Sequence, residues 1–237
     1  MNPYTLAADL HTHTIASGHA ADTIRTMAER ALARGLEAVA VTDHGPGLQG
    51  GAGEVYFRAL PRMVRGVDMP LRVIAGAEDD IVNRRGDLRL PGEVRRSLEL
   101  VITGLHPHSW MAGQPETART EGAVRAIQRG LVHVFAHPVS NYLSVEVEPV
   151  LQAAAASGRT ALELNASKLA DRPALIGYLE RCAELEVPLV VNSDAHVAEE
   201  VGVFDRAVDL LREVGFPDGL VVNRSMESLC AFFRLGR

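Results

Sequence analysis

The sequence predicts an α/β fold built on a parallel sheet, and three observations carry that reading. Short apolar runs rich in β-branched residues alternate with segments of helical period. The strand runs are apolar throughout instead of alternating apolar and polar, which suits a parallel sheet covered on both faces. No linker, low-complexity tract or internal repeat interrupts the 237 residues, so 1–237 reads as a single domain. Repeated β-α units over one compact length mean either a closed barrel or an open doubly wound sheet.

The elements follow in order. A strand is expected at 6–10. Asp22 is a plausible N-cap for a helix whose face carries Ile24, Met27, Ala28, Ala31 and Leu32 and which Gly35 stops. A second strand falls at 38–42, followed by the Gly-rich loop 45–53 and a helix ending near Arg65. A third strand is expected at 72–77, with an irregular excursion or hairpin around Gly86 over 79–90. A short helix at 93–98 leads to a strand at 100–104. Helices at 116–129, 147–157 and 172–185 then precede strands at 132–136, 161–165 and 188–192. A helix at 203–214 ends at Gly215 and Pro217, and a short β-like stretch at 220–222 feeds a last helix at 226–234.

Composition excludes several classes. Hydrophobic residues make up 47% and charged residues 23%, so the chain can bury a core and is not a disordered or collagen-like polymer. The net charge of −6 argues against a dedicated nucleic-acid binder. No apolar run reaches the roughly 18 residues of a membrane helix. The start, Met1-Asn2-Pro3-Tyr4, shows neither a basic region nor an apolar stretch, so no signal peptide is expected. Cys182 and Cys230 fall in helix-like segments, which suggests a reducing, cytoplasmic setting more than a disulfide framework. Lys168 is the only lysine among 24 basic residues.

The nine histidines are not scattered. His11 and His13 follow the first strand, with His19 six residues on. Asp43 and His44 follow the second strand and Glu78 ends the third. His106 and His108 follow the strand at 100–104, His137 the one at 132–136, and Asp194 and His196 the one at 188–192. Only His133 lies within a strand. In parallel α/β proteins the C-terminal strand edge is where ligands bind. Imidazoles and carboxylates gathered there point to metal: imidazole suits Zn, Fe, Mn or Ni, and carboxylate suits hard divalent ions. No cysteine joins them, which favours a catalytic over a structural site. Nine or so donors exceed what one ion at four to six coordination can use, so two or three ions are implied. In His11-Thr12-His13 alternate residues on an extended chain point the same way, and Asp194-Ala195-His196 repeats the spacing. Glu78 has two oxygens with which to bridge two ions.

The ordered set His11-Thr12-His13-Thr14, Thr42-Asp43-His44-Gly45, Gly104-Leu105-His106, His137-Pro138 and Ser193-Asp194-Ala195-His196 resembles the PHP (polymerase and histidinol phosphatase) superfamily over essentially the whole chain. The runs 11–20 and 42–46 look like its trinuclear-zinc phosphatase branch, the YcdX type. The resemblance implies a single distorted (β/α)7 barrel, TIM-like and PHP-type. It implies that His11, His13, Glu78 and Asp194 hold a first ion, that Glu78 bridges to a second held by His106 and His137, and that His19, His44 and His196 hold a third. Three Zn2+ per chain are expected on this basis, with Mn2+ or Fe2+ as alternatives. All nine positions are filled. His108 departs from the pattern, as either a substrate contact or an exposed loop histidine.

The expected chemistry is hydrolysis at phosphorus. Metal-bound water ionises near neutral pH, paired ions hold nucleophile and phosphate oxygens for in-line attack, and a third ion adds charge where the transition state accumulates it. Glu78, Asp194 and His196 are the expected catalytic residues, and His108 and Lys168 are candidate substrate contacts. Asp43 either orients a ligand histidine or caps its loop. Arg84 and Arg85 form either a rim for anions or a solvated turn. No Walker loop or dinucleotide fingerprint competes. The leading expectation is a phosphatase for small phosphomonoesters. The alternatives are a phosphodiesterase or exonuclease, a histidinol phosphatase, and a non-catalytic metal-binding module. No long nucleic acid or membrane partner is expected, and the oligomeric state is open. Three divalent ions would bring the −6 of the bare chain to about zero.

Overall fold

The computed structural model describes residues 4–140 and 143–236. Residues 1–3, on which the expectation of no signal peptide partly rests, lie outside them. Seven strands run parallel and in chain order: β1 (Ala8–Asp9), β2 (Ala38–Val41), β3 (Arg72–Asp80), β4 (Leu100–Gly104), β5 (Val134–Phe135), β6 (Ala161–Asn165) and β7 (Leu189–Asn192). Between and after them lie α1 (Ile24–Ala33), α2 (Glu54–Arg65), α3 (Gly92–Arg95), α4 (Glu116–Gln128), α5 (Val147–Ser157), α6 (Arg172–Glu184), α7 (Asp205–Val214) and α8 (Met226–Phe233). This is a nearly closed (β/α)7 barrel, which decides between the two architectures left open above.

Closure between β1 and β7 uses side chains as well as backbone. Thr12 forms a parallel bridge with Ala195, and the His13 N–H donates to the Ala195 carbonyl at 2.8 Å. Lower in the seam Asn223 stands in for a strand. Its Nδ2 donates to the carbonyls of Ala8 (2.8 Å) and Val191 (2.7 Å), and its Oδ1 accepts from the Val191 N–H. The 220–222 stretch is therefore not a full strand. Two 3-10 turns flank a parallel bridge from Val221 to Leu189, and on the other side of the seam the Ala7 N–H donates to the Asn223 carbonyl at 2.9 Å.

Other differences are local. Thr23, not Asp22, caps α1, accepting from the Thr26 N–H. Asp22 instead accepts from the Ala198 N–H at 2.8 Å, tying the loop after β1 to the loop after β7. β3 runs to Asp80, beyond the expected end at 77, because Glu78, Asp79 and Asp80 pair with Ile102, Thr103 and Gly104 of β4; the hairpin around Gly86 then pairs Ile81 with Leu88 just beyond it. α7 begins at Asp205, two residues late. The strands are also not apolar throughout. Glu78, Asp80, Glu163 and Asn165 occupy alternate positions near the C-terminal ends of β3 and β6 and are buried.

The barrel interior divides along its axis. Toward the N-terminal strand ends Ala8, Leu10, Ala38, Ala40, Ile74, Leu100, Ile102, Val134 and Ala161 pack with Leu229 and Phe233 of α8. Outward-facing residues such as Val101, Phe135, Leu162 and Leu164 pack under the helices in a second cluster. Near the C-terminal strand ends the polar residues take over. No helix among the described residues is long and apolar enough to cross a membrane.

Candidate metal centre

The histidines expected at the C-terminal edge converge there, and Glu78 lies at their centre. Its Oε2 is 2.9 Å from His44 Nδ1, 3.2 Å from His11 Nε2 and 3.5 Å from His13 Nε2. Its Oε1 is 3.1 Å from His106 Nε2 and 3.3 Å from His137 Nε2. Asp194 Oδ1 lies 3.2 Å from His13 Nε2 and 3.5 Å from His11 Nε2. β3 delivers Glu78 from its interior face, and the turns after the other strands deliver the imidazoles. Gly104 makes the room: a Cβ there would stand 2.6 Å from His137 Cε1 and 3.0 Å from Glu78 Oε1. Asp194 (φ 57°), His137 (φ 34°) and His108 (φ 71°) hold left-handed backbone that only a few non-glycine residues adopt, and such strain gathers at functional sites.

The far nitrogen of several rings is held in place. His11 Nδ1 lies 2.8 Å from Glu163 Oε1. His13 Nδ1 meets the Ser17 hydroxyl at 3.1 Å; that hydroxyl donates to Asp43 Oδ1 (2.7 Å) and accepts from the His44 N–H (3.1 Å). Asp43 also accepts from the Thr14 N–H and hydroxyl and from the Tyr56 hydroxyl. It thus ties down the loop after β1 instead of capping its own and, through Ser17, orients His13. His19 Nδ1 and His196 Nδ1 face the backbone carbonyls of Ser17 (3.0 Å) and Asp194 (2.9 Å).

This donor set fits divalent ions. His11 Nε2, His13 Nε2, His44 Nδ1 and Glu78 Oε2 are buried without hydrogen-bond partners among the described residues, although orphaned buried polar atoms are costly. At the rim His19 Nε2 and His196 Nε2 stand 3.0 Å apart. With each Nδ1–H directed at a carbonyl, two lone pairs face each other, an arrangement that a cation between them relieves. Three groups have ligand atoms within 4.8 Å of one another: His11, His13 and Asp194; His44, Glu78 and His106; and His13, His44 and His196.

Electrostatics agree for the carboxylates and for two of the rings. Burial opposes charge on Glu78, yet His106, His11 and His44 outweigh it and hold the carboxyl well below its ordinary range. Burial likewise opposes charge on Asp194, and His11 and His13 prevail. Burial and the neighbouring His44 push His13 well down, and the same two causes lower His19. Ionised carboxylates and neutral imidazoles are the protonation states that metal ligands need. His11 and His106 go the other way: against the burial that opposes their charge, Glu78 raises His11 well above the ordinary histidine value and His106 to about 10, so an ion there would displace a proton from each ring.

A cavity of about 400 Å³ opens over the cluster, lined by His19, His44, His106, His137, Asp194 and His196 and by Leu48, Gln49, Pro107, His108 and Lys168. Lys168 Nζ is 3.2 Å from Asp194 Oδ2 and donates to the Ser167 hydroxyl, so the lone lysine faces the cavity. His108 is exposed on its lining. Arg84 and Arg85 pair with Glu121 and Asp87 on a solvated turn, away from the cavity. His133 is remote, its Nδ1 accepting from the Val101 N–H and its ring against Phe233. Sequence reasoning missed Glu163, Ser17, Asp80 and Asn192. The period-two alternation of Glu163 and Asn165 with Leu162 and Leu164 was the available signal, because it places a carboxylate on the interior face of a strand.

The PHP domain family matches residues 9–167, two thirds of the chain, and the PHP-associated family matches 179–216. The chain belongs to the PHP family. Among PHP relatives, a protein named "Probable phosphatase" from Acetivibrio thermocellus is 35% identical over 238 residues, covering 95% of this chain and 94% of its own. Another of that name, from Caldanaerobacter subterraneus subsp. tengcongensis, is 33% identical over 234 residues, covering 94% and 89%. In keeping with the name these relatives carry, this PHP chain is a phosphatase, a hydrolase of phosphoric esters. The histidinol phosphate phosphatase of Lactococcus lactis subsp. lactis, solved with zinc, L-histidinol and phosphate, shares the PHP fold. Its TM-score is 0.61 at 17% identity, over 90% of this chain and 95% of that one.

Proposed function

We propose that residues 1–237 form one domain, a metal-dependent phosphatase of the YcdX type that acts on small phosphomonoesters at a trinuclear centre. The convergence of five imidazoles on the two oxygens of Glu78 carries this reading. His11, His13, Glu78 and Asp194 would hold one ion; Glu78, His106 and His137 a second; His19, His44 and His196 a third. Zn2+ suits the imidazole-rich set, with Mn2+ or Fe2+ as alternatives. When bound, such ions supply an ionised water near neutral pH and offset phosphate charge.

The chain's own residues do the rest. Glu78, Asp194 and His196 sit where the reaction would occur. Glu78 divides its two oxygens between two sets of rings and so fixes the spacing of the centre. Lys168 brings a cation to the cavity beside Asp194, where a phosphate oxygen could compete for it. His108, exposed on the lining, is placed to touch the organic part of a substrate. The cavity's volume matches a phosphate with a modest organic group and not a polymer track, and the acidic chain agrees with that. The free thiols, Cys182 buried and Cys230 partly so, fit a cytoplasmic setting.

The test is a phosphate-release screen over phosphomonoesters and nucleotides with metal content quantified alongside. Two to three divalent ions per chain and turnover of small monoesters are expected. Protein that holds no metal after metal-replete expression, or that cleaves only diesters, overturns the reading.

A further inference from the structure

Glu163 lies outside the nine candidate ligands, yet it backs two of them directly. It is buried in β6, and both oxygens are covered. Oε1 accepts from His11 Nδ1 and from Asn192 Nδ2, each at 2.8 Å. Oε2 accepts from the His137 N–H at 2.9 Å and from Asn165 Nδ2 at 3.0 Å. Donors from the ends of β6 and β7 and from the turn after β5 therefore fix its direction, and a carboxylate with four donors cannot turn away.

An ionised carboxylate only accepts, so His11 Nδ1 carries a proton and Nε2 is the atom turned toward Glu78 Oε2 and Asp194 Oδ1. The rim differs. His19 is exposed and His196 half-buried, and the hydrogen bonds that back them go to backbone carbonyls, with the Asp194 carboxylate no nearer than 3.7 Å to His196 Nδ1. A carboxylate raises the basicity of the ring it backs and fixes its orientation more firmly than a carbonyl does.

We infer that Glu163 is a positioning residue: it locks His11 with Nε2 directed at Glu78 and Asp194 before any ion arrives, and so sets the affinity of the innermost metal position. The inference rests on the metal-centre reading above.

The test counts ions. Zinc-free wild type and Glu163→Gln would be equilibrated against buffers of fixed free Zn2+, and bound zinc measured by elemental analysis. For Glu163→Gln one ion should require about 10–100-fold more free Zn2+ for half-filling. The other ions should fill as in wild type, and the zinc-free proteins should melt alike. Loss of all ions together would mean a general structural role and would overturn the proposal. In a His11→Ala background Glu163→Gln should add no further weakening, because the two act as one unit; an equal added loss would also overturn it. If Glu163→Gln fails to fold, Glu163→Asp withdraws the carboxylate by one methylene and should show a smaller shift of the same single ion. Wild-type filling by that variant would refute the lock. If wild type takes up no zinc, the metal-centre reading falls together with this one; if wild type fills and Glu163→Gln fills identically, only the role of Glu163 falls.

Discussion

The two ends of the barrel interior are made by the same strands and face opposite demands. In β3, Ile74 packs with Leu229 and Phe233 of α8, while Glu78, four residues on and on the same face, sits among five imidazoles. In β6, Ala161 belongs to the apolar end and Glu163 and Asn165 to the polar one. Backbone geometry is common to both ends, since alternate residues face inward throughout. The apolar end needs only volume and shape. The polar end needs every buried donor and acceptor matched, and there several atoms are unmatched among the described residues. One end therefore stabilises the fold, and the other is organised around something the chain does not supply.

The largest effect should come from the polar end. Glu78→Ala removes the shared carboxylate and should cut turnover of a generic aryl phosphate by on the order of 10³-fold or more. Circular dichroism should remain that of the wild type. Wild-type turnover in this variant would break the comparison, because Glu78 would then be ordinary buried structure.

At the apolar end Phe233→Ala should lower stability by about 3–5 kcal/mol in denaturant unfolding. Metal content per folded chain and KM should be unchanged. A selective loss of metal at constant stability would show that the two ends are coupled.

Asp79 sharpens the boundary between them. It sits on the outward face of β3, accepts from the Leu90 N–H, and burial raises its carboxyl to about 7, above an ordinary 3.8. Because the folded value is raised, its contribution to stability is full below the unfolded value and is lost as pH rises through about 7. In Asp79→Asn that linkage is gone. The melting temperature of the variant minus that of wild type should therefore climb between about pH 5 and about pH 8. A difference independent of pH would refute a buried, proton-binding Asp79.

The smallest effect is expected at the cavity wall. Lys168→Met should lower kcat/KM about 10-fold, the size of one hydrogen bond to a charged group, while metal content stays the same. Unchanged kcat/KM would make Lys168 only a partner of Asp194.

The candidate ligands were legible in the sequence because they follow strand ends, where spacing such as His11-Thr12-His13 and Asp194-Ala195-His196 is itself geometric information. Lys168 was legible for the same reason, and the β-α alternation gave the parallel sheet. Asp80 and Asn192 were not legible, and the alternation around Glu163 showed that it shares a face with Asn165 but not what that face meets. Within a short strand a polar residue on the inward face and one on the outward face look alike until register and neighbours are known. The cap of α1 was misplaced by one residue because Asp22 and Thr23 are both good caps, and only the tertiary contact of Asp22 with Ala198 separates them.

By itself the sequence determined which residues are candidates to carry chemistry, their order along the chain and the class of fold, because local periodicity and residue type act over a few positions. Only the tertiary structure decided that the sheet closes, with Asn223 bridging the seam where 220–222 fails to become a strand. It alone decided that Glu78 faces five rings at once, and which carboxylate, hydroxyl or carbonyl backs each ring. These are contacts between residues up to 215 positions apart, and no local pattern encodes a distance between chain segments that meet only when the barrel forms.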